Sequence, residues 1–158
     1  MQRLTTRLQL TMEKQMKLIL SMLLLALSLF GRADLDEYAQ KMGFERDYYT
    51  ALAKAKKAHR PLMLVVTKAE CPWCDRLEDR TFTEHTVHTR LKKEVIVVLV
   101  YKNFDEGEYP AEKFPAPFSP RTFFIDPDTQ KNLLIINGYV KPDNFLENLD
   151  KLNMLWQD

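Results

Sequence analysis

Apolar and polar positions along the chain sort into segments of different period. From Asp47 to His59, Tyr48, Leu52 and Ala55 recur at helical spacing. Lys54, Lys56 and Lys57 lie toward the C-terminal end, where cations suit the helix dipole, and Arg60-Pro61 stops the helix. Leu62-Met63-Leu64-Val65-Val66 is a short continuous apolar run, which predicts a strand buried on both faces of a parallel or mixed sheet. A helix is expected from Cys71 to Arg80 and, after a break around Thr81–Thr83, another over Glu84–Lys93. Val95–Tyr101 predicts a second buried strand. Helix, strand, helix, strand in this order favours a right-handed crossover.

The stretch that follows is irregular. Asp105, Glu106 and Glu108 make an acidic loop, and Pro110, Pro115, Pro117 and Pro120 are half of the 8 prolines. A stiff connecting loop fits this better than a ligand for proline-reading domains. Thr122-Phe123-Phe124-Ile125 reads as a third strand, Asp126-Pro127-Asp128-Thr129 as a turn and Leu133–Ile136 as an antiparallel return. Lys141-Pro142-Asp143 opens a last helix with Phe145, Leu146, Leu149 and Leu152 as its buried stripe. The elements predict an α/β fold: a central mixed four-stranded sheet, one half parallel βαβ and the other antiparallel ββα, flanked by helices.

Ahead of these elements, Leu18–Phe30 is an apolar run of thirteen residues without a charge. Basic residues precede it, and Gly31-Arg32-Ala33 follows with small residues at −3 and −1 of a cut. This is the three-part grammar of a secretory signal peptide. The run is short of the ~20 apolar residues of a spanning helix, and Arg32 at −2 keeps an uncleaved membrane tether as the alternative. Residues 1–33 are therefore expected to be a signal peptide or tether, and 34–158 a single domain working outside the cytoplasm, in the periplasm of a double-membraned bacterium.

The chain has 158 residues, 46% apolar and 28% charged, enough for one core. Its net charge of +1 offers no basic excess for a nucleic-acid partner. Five of the 23 basic side chains but only one of the 22 acidic ones lie in residues 1–33, so the expected domain is net acidic. Two cysteines exclude a disulfide-dense scaffold and a four-cysteine zinc site.

Those cysteines form Cys71-Pro72-Trp73-Cys74, directly after a predicted strand and at the head of a helix, which makes them a redox candidate. Proline favours the first helical position, so Cys71 falls at the N-cap and Cys74 one turn on. The unpaired N–H groups and the dipole of the helix start both favour the thiolate of Cys71, the nucleophilic form, and an exposed sulfur is expected there. Sulfurs three residues apart share one face, at a Cα separation that suits a disulfide. Two other uses of the pair compete. A static staple normally closes a longer loop. A metal site would need further ligands, such as His85 and His88 on the next helix; these two are otherwise read as ordinary partly exposed histidines, and His59 as a surface residue.

With these residues in place, the sequence resembles the thioredoxin superfamily, most closely its small secreted members. The matching segments are Ala53–Val66, Cys71-Pro72-Trp73-Cys74-Asp75-Arg76-Leu77-Glu78 with Phe82, and Ser119-Pro120-Arg121-Thr122-Phe123-Phe124-Ile125-Asp126-Pro127. They span about residues 45–155. The resemblance implies a thioredoxin-like fold and a Cys71–Cys74 redox disulfide, with Cys71 as nucleophile and Cys74 as resolving cysteine. It also implies a cis Pro120 facing the pair, which leaves Ser119 to hold a substrate strand. Pro72, Trp73 and Phe118 would flank that groove, although Phe118 reads equally well as a core residue. The sequence departs from the family pattern at several positions. Glu70 stands where the family usually has Trp, and its charge should push the Cys71 pKa up. Val65 stands where many members bury a proton-relaying Asp, so the carrier for Cys74 is not named by the sequence. Arg121 stands where Thr is commoner.

The expected function is an exported thiol–disulfide oxidoreductase, leaning toward reductase. It would need no cofactor or resident metal. Its partners would be proteins with disulfides or dithiols and a membrane redox partner, and the chain is expected to be a monomer. A non-enzymatic metal carrier or chaperone-like module on the same scaffold is the alternative.

Overall fold

The computed structural model describes residues 12–22, 35–105 and 107–157. The chain divides into two units, residues 1–34 and 35–158. In the first, residues 12–22 are helical and exposed. The rest of the apolar run and the expected cut at Gly31-Arg32-Ala33 lie outside the described residues. Among the described residues no helix is long and apolar enough to cross a membrane.

The second unit begins with a helix over residues 35–42 (α1), to which the sequence reading gave no element. Its apolar residues Leu35, Ala39 and Met42 are all buried and keep helical spacing, so the signal was present but short. α2 runs from Tyr48 to Ala58. Asp47 caps it by accepting from Thr50 N at 2.6 Å, and His59 ends it in the left-handed region at φ 51. Its buried face is Tyr48, Ala51 and Ala55; the predicted Leu52 is only partly covered, so the helix is rotated slightly from the expected stripe.

β1 (Leu62–Thr67) is followed by α3 (Pro72–Arg76), a π-helical segment (Leu77–Phe82), α4 (His85–Glu94) and β2 (Ile96–Tyr101). The single helix expected over Cys71–Arg80 is thus a five-residue α-helix passing into a π-helix. β3 (Arg121–Ile125), β4 (Asn132–Asn137) and α5 (Pro142–Gln157) complete the unit. The sheet order is β2-β1-β3-β4. β1 and β2 are parallel, with Leu62 opposite Ile96 and Thr67 opposite Tyr101. β1–β3 and β3–β4 are antiparallel, the latter with an irregularity between Phe124 and Ile125. The predicted mixed α/β architecture is therefore the observed one.

All of β1 is buried because alternate residues feed two cores. Met63 and Val65 join Leu77, Phe82, Leu91, Phe124, Phe145 and Leu149. Leu62, Leu64 and Val66 join Tyr48, Ala55, Val98, Phe114 and Phe123 on the other side. Each buried Val, Leu, Met or Phe among these stabilises the fold by roughly 1.5–3 kcal/mol. Val65, at the position where the family often has an acid, lies inside the first core.

Candidate functional site

The C-terminal end of β1 delivers the chain to the cysteines. Glu70 takes the left-handed conformation at φ 55, and Cys71 follows in extended backbone as the N-cap of α3, with Pro72 at the helix start. The backbone N–H of Cys74 points at Cys71 Sγ from 3.2 Å. Cys71 and Cys74 form a disulfide with a Cα separation of 5.2 Å. Cys71 is only 3% exposed and Cys74 1%, which corrects the expectation of an open sulfur. The carbonyl of Ser119, from the loop before β3, stands 3.7 Å from Cys71 Sγ and forms part of this cover.

The Ser119–Pro120 peptide bond is cis. The Pro120 carbonyl accepts from Gly138 N at 2.9 Å, which brings the end of β4 to the start of β3. Of the predicted residues, Ser119 meets Cys71, and Trp73, Phe118 and Ser119 share one cleft, while Pro72 lies between the two cysteines in sequence. Phe118 is 54% exposed and so is not a core residue; Trp73 is exposed to the same degree. Trp73, Phe118 and Ser119, with Gly138 and Tyr139, line a cleft of about 360 Å³. Gly138 and Tyr139 were not singled out from sequence, because only the β3–β4 pairing carries them here.

Prolines at 115, 117 and 120 leave the loop before β3 short of N–H donors of its own. Two cations supply the bonds instead. Lys102 Nζ donates to Ala116 O at 2.8 Å, and the Arg121 guanidinium donates to Pro115 O. The same guanidinium lies 5.7 Å from the Phe118 ring centre and 5.1 Å from that of Phe123. The departure from Thr at 121 therefore serves to hold this loop.

A further residue escaped the sequence reading. Glu78, four residues after Cys74, is buried, and its Oε1 has no hydrogen-bond partner. Burial pushes its pKa up to about 8, helped by the charges of Asp75 and Asp79 and opposed by Arg46. Arg46 also pairs with the buried Asp105 at 2.9 Å and with Asp36 at 2.7 Å, and donates to Leu99 O. The only sequence cue was an acid beside residues that all turn inward: Leu77, Thr81 and Phe82.

His88 Nε2 is 3.0 Å from Met42 O and its ring meets Phe44 edge-on, while His85 opens α4. Among the described residues no three His, Cys, Asp or Glu side chains are grouped to hold a metal ion.

Comparisons with known proteins show the same fold. The solution structure of a thioredoxin from Thermus thermophilus superposes with a TM-score of 0.62 at 22% identity, covering 69% of this chain and 85% of that one. A structure described as DsbH oxidoreductase gives 0.57 at 16% identity over 68% and 82%. In sequence, the mouse (Mus musculus) anterior gradient protein 2 homolog is 29% identical over 91 residues, 57% of this chain and 49% of the relative, so the match spans about half of that protein's length. Residues 48–153 match the family described as a thioredoxin-like domain, and by that match this chain belongs to the thioredoxin-like family.

Proposed function

We propose that this protein is an exported thiol–disulfide oxidoreductase that works as a reductase of protein disulfides. The observation that carries this reading is the Cys71–Cys74 disulfide at the head of α3, lying against Ser119 and the cis Pro120. A structural neighbour described as an oxidoreductase supports it. Export rests on the signal-like pattern around Leu18–Phe30.

In the reduced protein, the Cys71 thiolate attacks one sulfur of a substrate disulfide. A Cys71–substrate bond forms, and the other substrate sulfur leaves as a thiolate. The Cys74 thiolate then attacks Cys71 Sγ, closing the Cys71–Cys74 disulfide and releasing the second substrate sulfur. Two electrons pass to the substrate, and a dithiol partner must return them. The Cys74 N–H and the start of α3 stabilise the Cys71 thiolate.

The decisive experiment is insulin-disulfide reduction by the full chain, together with its redox potential against glutathione. Activity lost in Cys71→Ser, and a substrate covalently trapped by Cys74→Ala, are the expected results. A potential near −120 mV, the oxidant end of the scale, would reverse the direction. Stoichiometric copper or zinc binding without reduction would replace the enzyme by a metal carrier.

A further inference from the structure

β1 starts at Leu62, opposite Ile96 of β2 and Ile125 of β3, and runs toward the cysteines. The start of the sheet is therefore its end away from the disulfide, a six-residue strand or roughly 20 Å distant. Three helices finish there. α2 and α4 lead into β1 and β2, and Arg60 joins their ends by donating to Lys92 O at 2.8 Å and Lys93 O at 3.0 Å. The end of α5 lies alongside, with Asn153 donating to Glu94 Oε2 at 3.1 Å. α1 also ends here, since a Cβ at Gly43 would meet Lys92 Cε at 3.9 Å.

This end is basic on a domain that is net acidic. Lys41, Lys56, Lys57, Lys92 and Lys93 are exposed and make no ion pair among the described residues. The nearby acids are engaged or matched. Glu45 is bonded to Lys54 at 2.6 Å, and Glu94 and Asp150 are each bonded to Arg90 at 2.7 Å. Asp126 and Asp128 share the β3–β4 turn with Lys131, and the Asp126 carboxylate accepts from the backbone N–H of Asp128. Asp158, outside the described residues, is matched in charge by the exposed Lys151. Helix dipoles account for a cation at the ends of α2 and α4, but each offsets only about half a charge. Beside the lysines stand Met154 and Leu155, 63% and 46% exposed on the last turn of α5, followed by a partly buried Trp156.

We propose that this end of the domain docks on a bilayer surface that contains anionic phospholipid. The lysine ammoniums meet the lipid phosphates, and Met154, Leu155 and Trp156 enter the boundary between headgroups and acyl chains. Cations alone would suffice for an acidic protein or a nucleic acid; exposed apolar side chains among them favour lipid. Segregated charge also orients the approach, because the field of the basic end is attracted to the anionic surface while the rest of the domain is not. Docked this way, the Cys71–Cys74 end faces away from the bilayer and stays open to substrates. Docking requires no step of the exchange chemistry proposed above.

Residues 34–158 serve for the test, because they contain both cores entire and lack the apolar run Leu18–Phe30, which would bind lipid by itself. The protein is sedimented with vesicles of phosphatidylcholine alone or of phosphatidylcholine with phosphatidylglycerol. Binding is expected to the anionic vesicles only, and it should fade as salt rises. Lys92→Gln and Lys93→Gln should each weaken it about fivefold, and Leu155→Ser roughly tenfold. These are exposed positions, and thermal unfolding verifies that the variants fold. In Trp73→Phe, Trp156 is the remaining tryptophan, and brominated phosphatidylcholine in the anionic vesicles should quench its fluorescence. No sedimentation with anionic vesicles at low salt would overturn the docking. Equal binding by the wild type and a Lys92→Gln/Lys93→Gln double variant would overturn its assignment to this end of the sheet. Lysine-dependent binding with Trp156 unquenched and Leu155→Ser without effect would point to an acidic macromolecule and overturn the choice of lipid. Insulin reduction by the same preparation tests the exchange reading separately, so either can fail while the other stands.

Discussion

The Tyr38 hydroxyl of α1 donates to the backbone carbonyl of Glu78 at 2.9 Å, across forty residues of sequence. The bond ties the opening helix to the π-helical segment that follows the cysteines. It covers the one buried carboxyl on that segment, and burial together with the neighbouring acids pushes the Tyr38 pKa up as well.

Glu78 therefore sets a pH dependence of stability. Its folded pKa of about 8 lies above its ordinary value of 4.5, so the folded state holds a proton that the unfolded state releases. The stability linked to this proton is full below pH 4.5 and is lost as pH rises toward 8, at no more than about 1.4 kcal/mol per pH unit. Glu78→Gln should flatten that slope, as read from urea unfolding at a series of pH values in the window. An unchanged slope would place the titration on another group.

Arg46 joins α1, the end of β2 and the loop after it through Asp36, Asp105 and Leu99 O. Asp105 has no side-chain exposure, so withdrawing its cation is costly. Arg46→Leu is expected to destabilise the fold by about 3 kcal/mol, whereas adding Asp105→Leu should recover part of the loss. Denaturant midpoints of the two single variants and the double variant measure this. Additive losses would mean that the pair is not coupled.

The ease of reading each part from sequence follows from what fixes it. β1, β2 and β3 were legible because short apolar runs bounded by Pro, Asp and charged residues allow little else, and the Cys71–Cys74 spacing at a helix start is a local matter. Glu78 was illegible because its inward direction depends on the π register of Leu77–Phe82; a continued α-helix would turn the later residues differently. Phe118 was ambiguous because a proline-rich loop has no period, and its direction is set by Arg121 and Lys102 from outside the loop. The approach of Ser119 to Cys71 was legible only through the family resemblance, since it spans 48 residues of sequence.

Lys102 supplies a prediction about that loop. Its ammonium is the donor to the carbonyl of the buried Ala116, and no nearby N–H of Pro115 or Pro117 exists to replace it. Lys102→Met should cost roughly 1–3 kcal/mol, the penalty of an unmet buried acceptor. On the proposed exchange reading it should also raise KM for insulin more than it lowers kcat, because the altered segment would present the substrate strand rather than the sulfur. Lys102→Arg should restore much of both. Thermal unfolding and steady-state reduction assays separate these effects. A loss confined to kcat would argue against a positioning role.

Glu70 tests the electrostatics at Cys71, the proposed nucleophile. It is exposed, precedes Cys71 and adopts φ 55, a conformation better suited to Asn or Gly than to Glu. Its negative charge disfavours a thiolate next to it, although solvent and salt screen an exposed group. Glu70→Gln should therefore lower the Cys71 pKa by roughly half a unit or less at physiological salt. Stabilising the thiolate stabilises the reduced form, so the potential should move toward the oxidising side. Glu70→Asn should shift the pKa in the same direction and, by easing the backbone, add up to about 1 kcal/mol of stability. An ultraviolet thiolate titration of the reduced variants, run at low and physiological salt, reads the first effect, and denaturant unfolding the second. If the shift is the same at both salt concentrations, the charge of Glu70 is not its source. If Asn gains no stability over Gln, the left-handed residue carries no strain that matters to the fold.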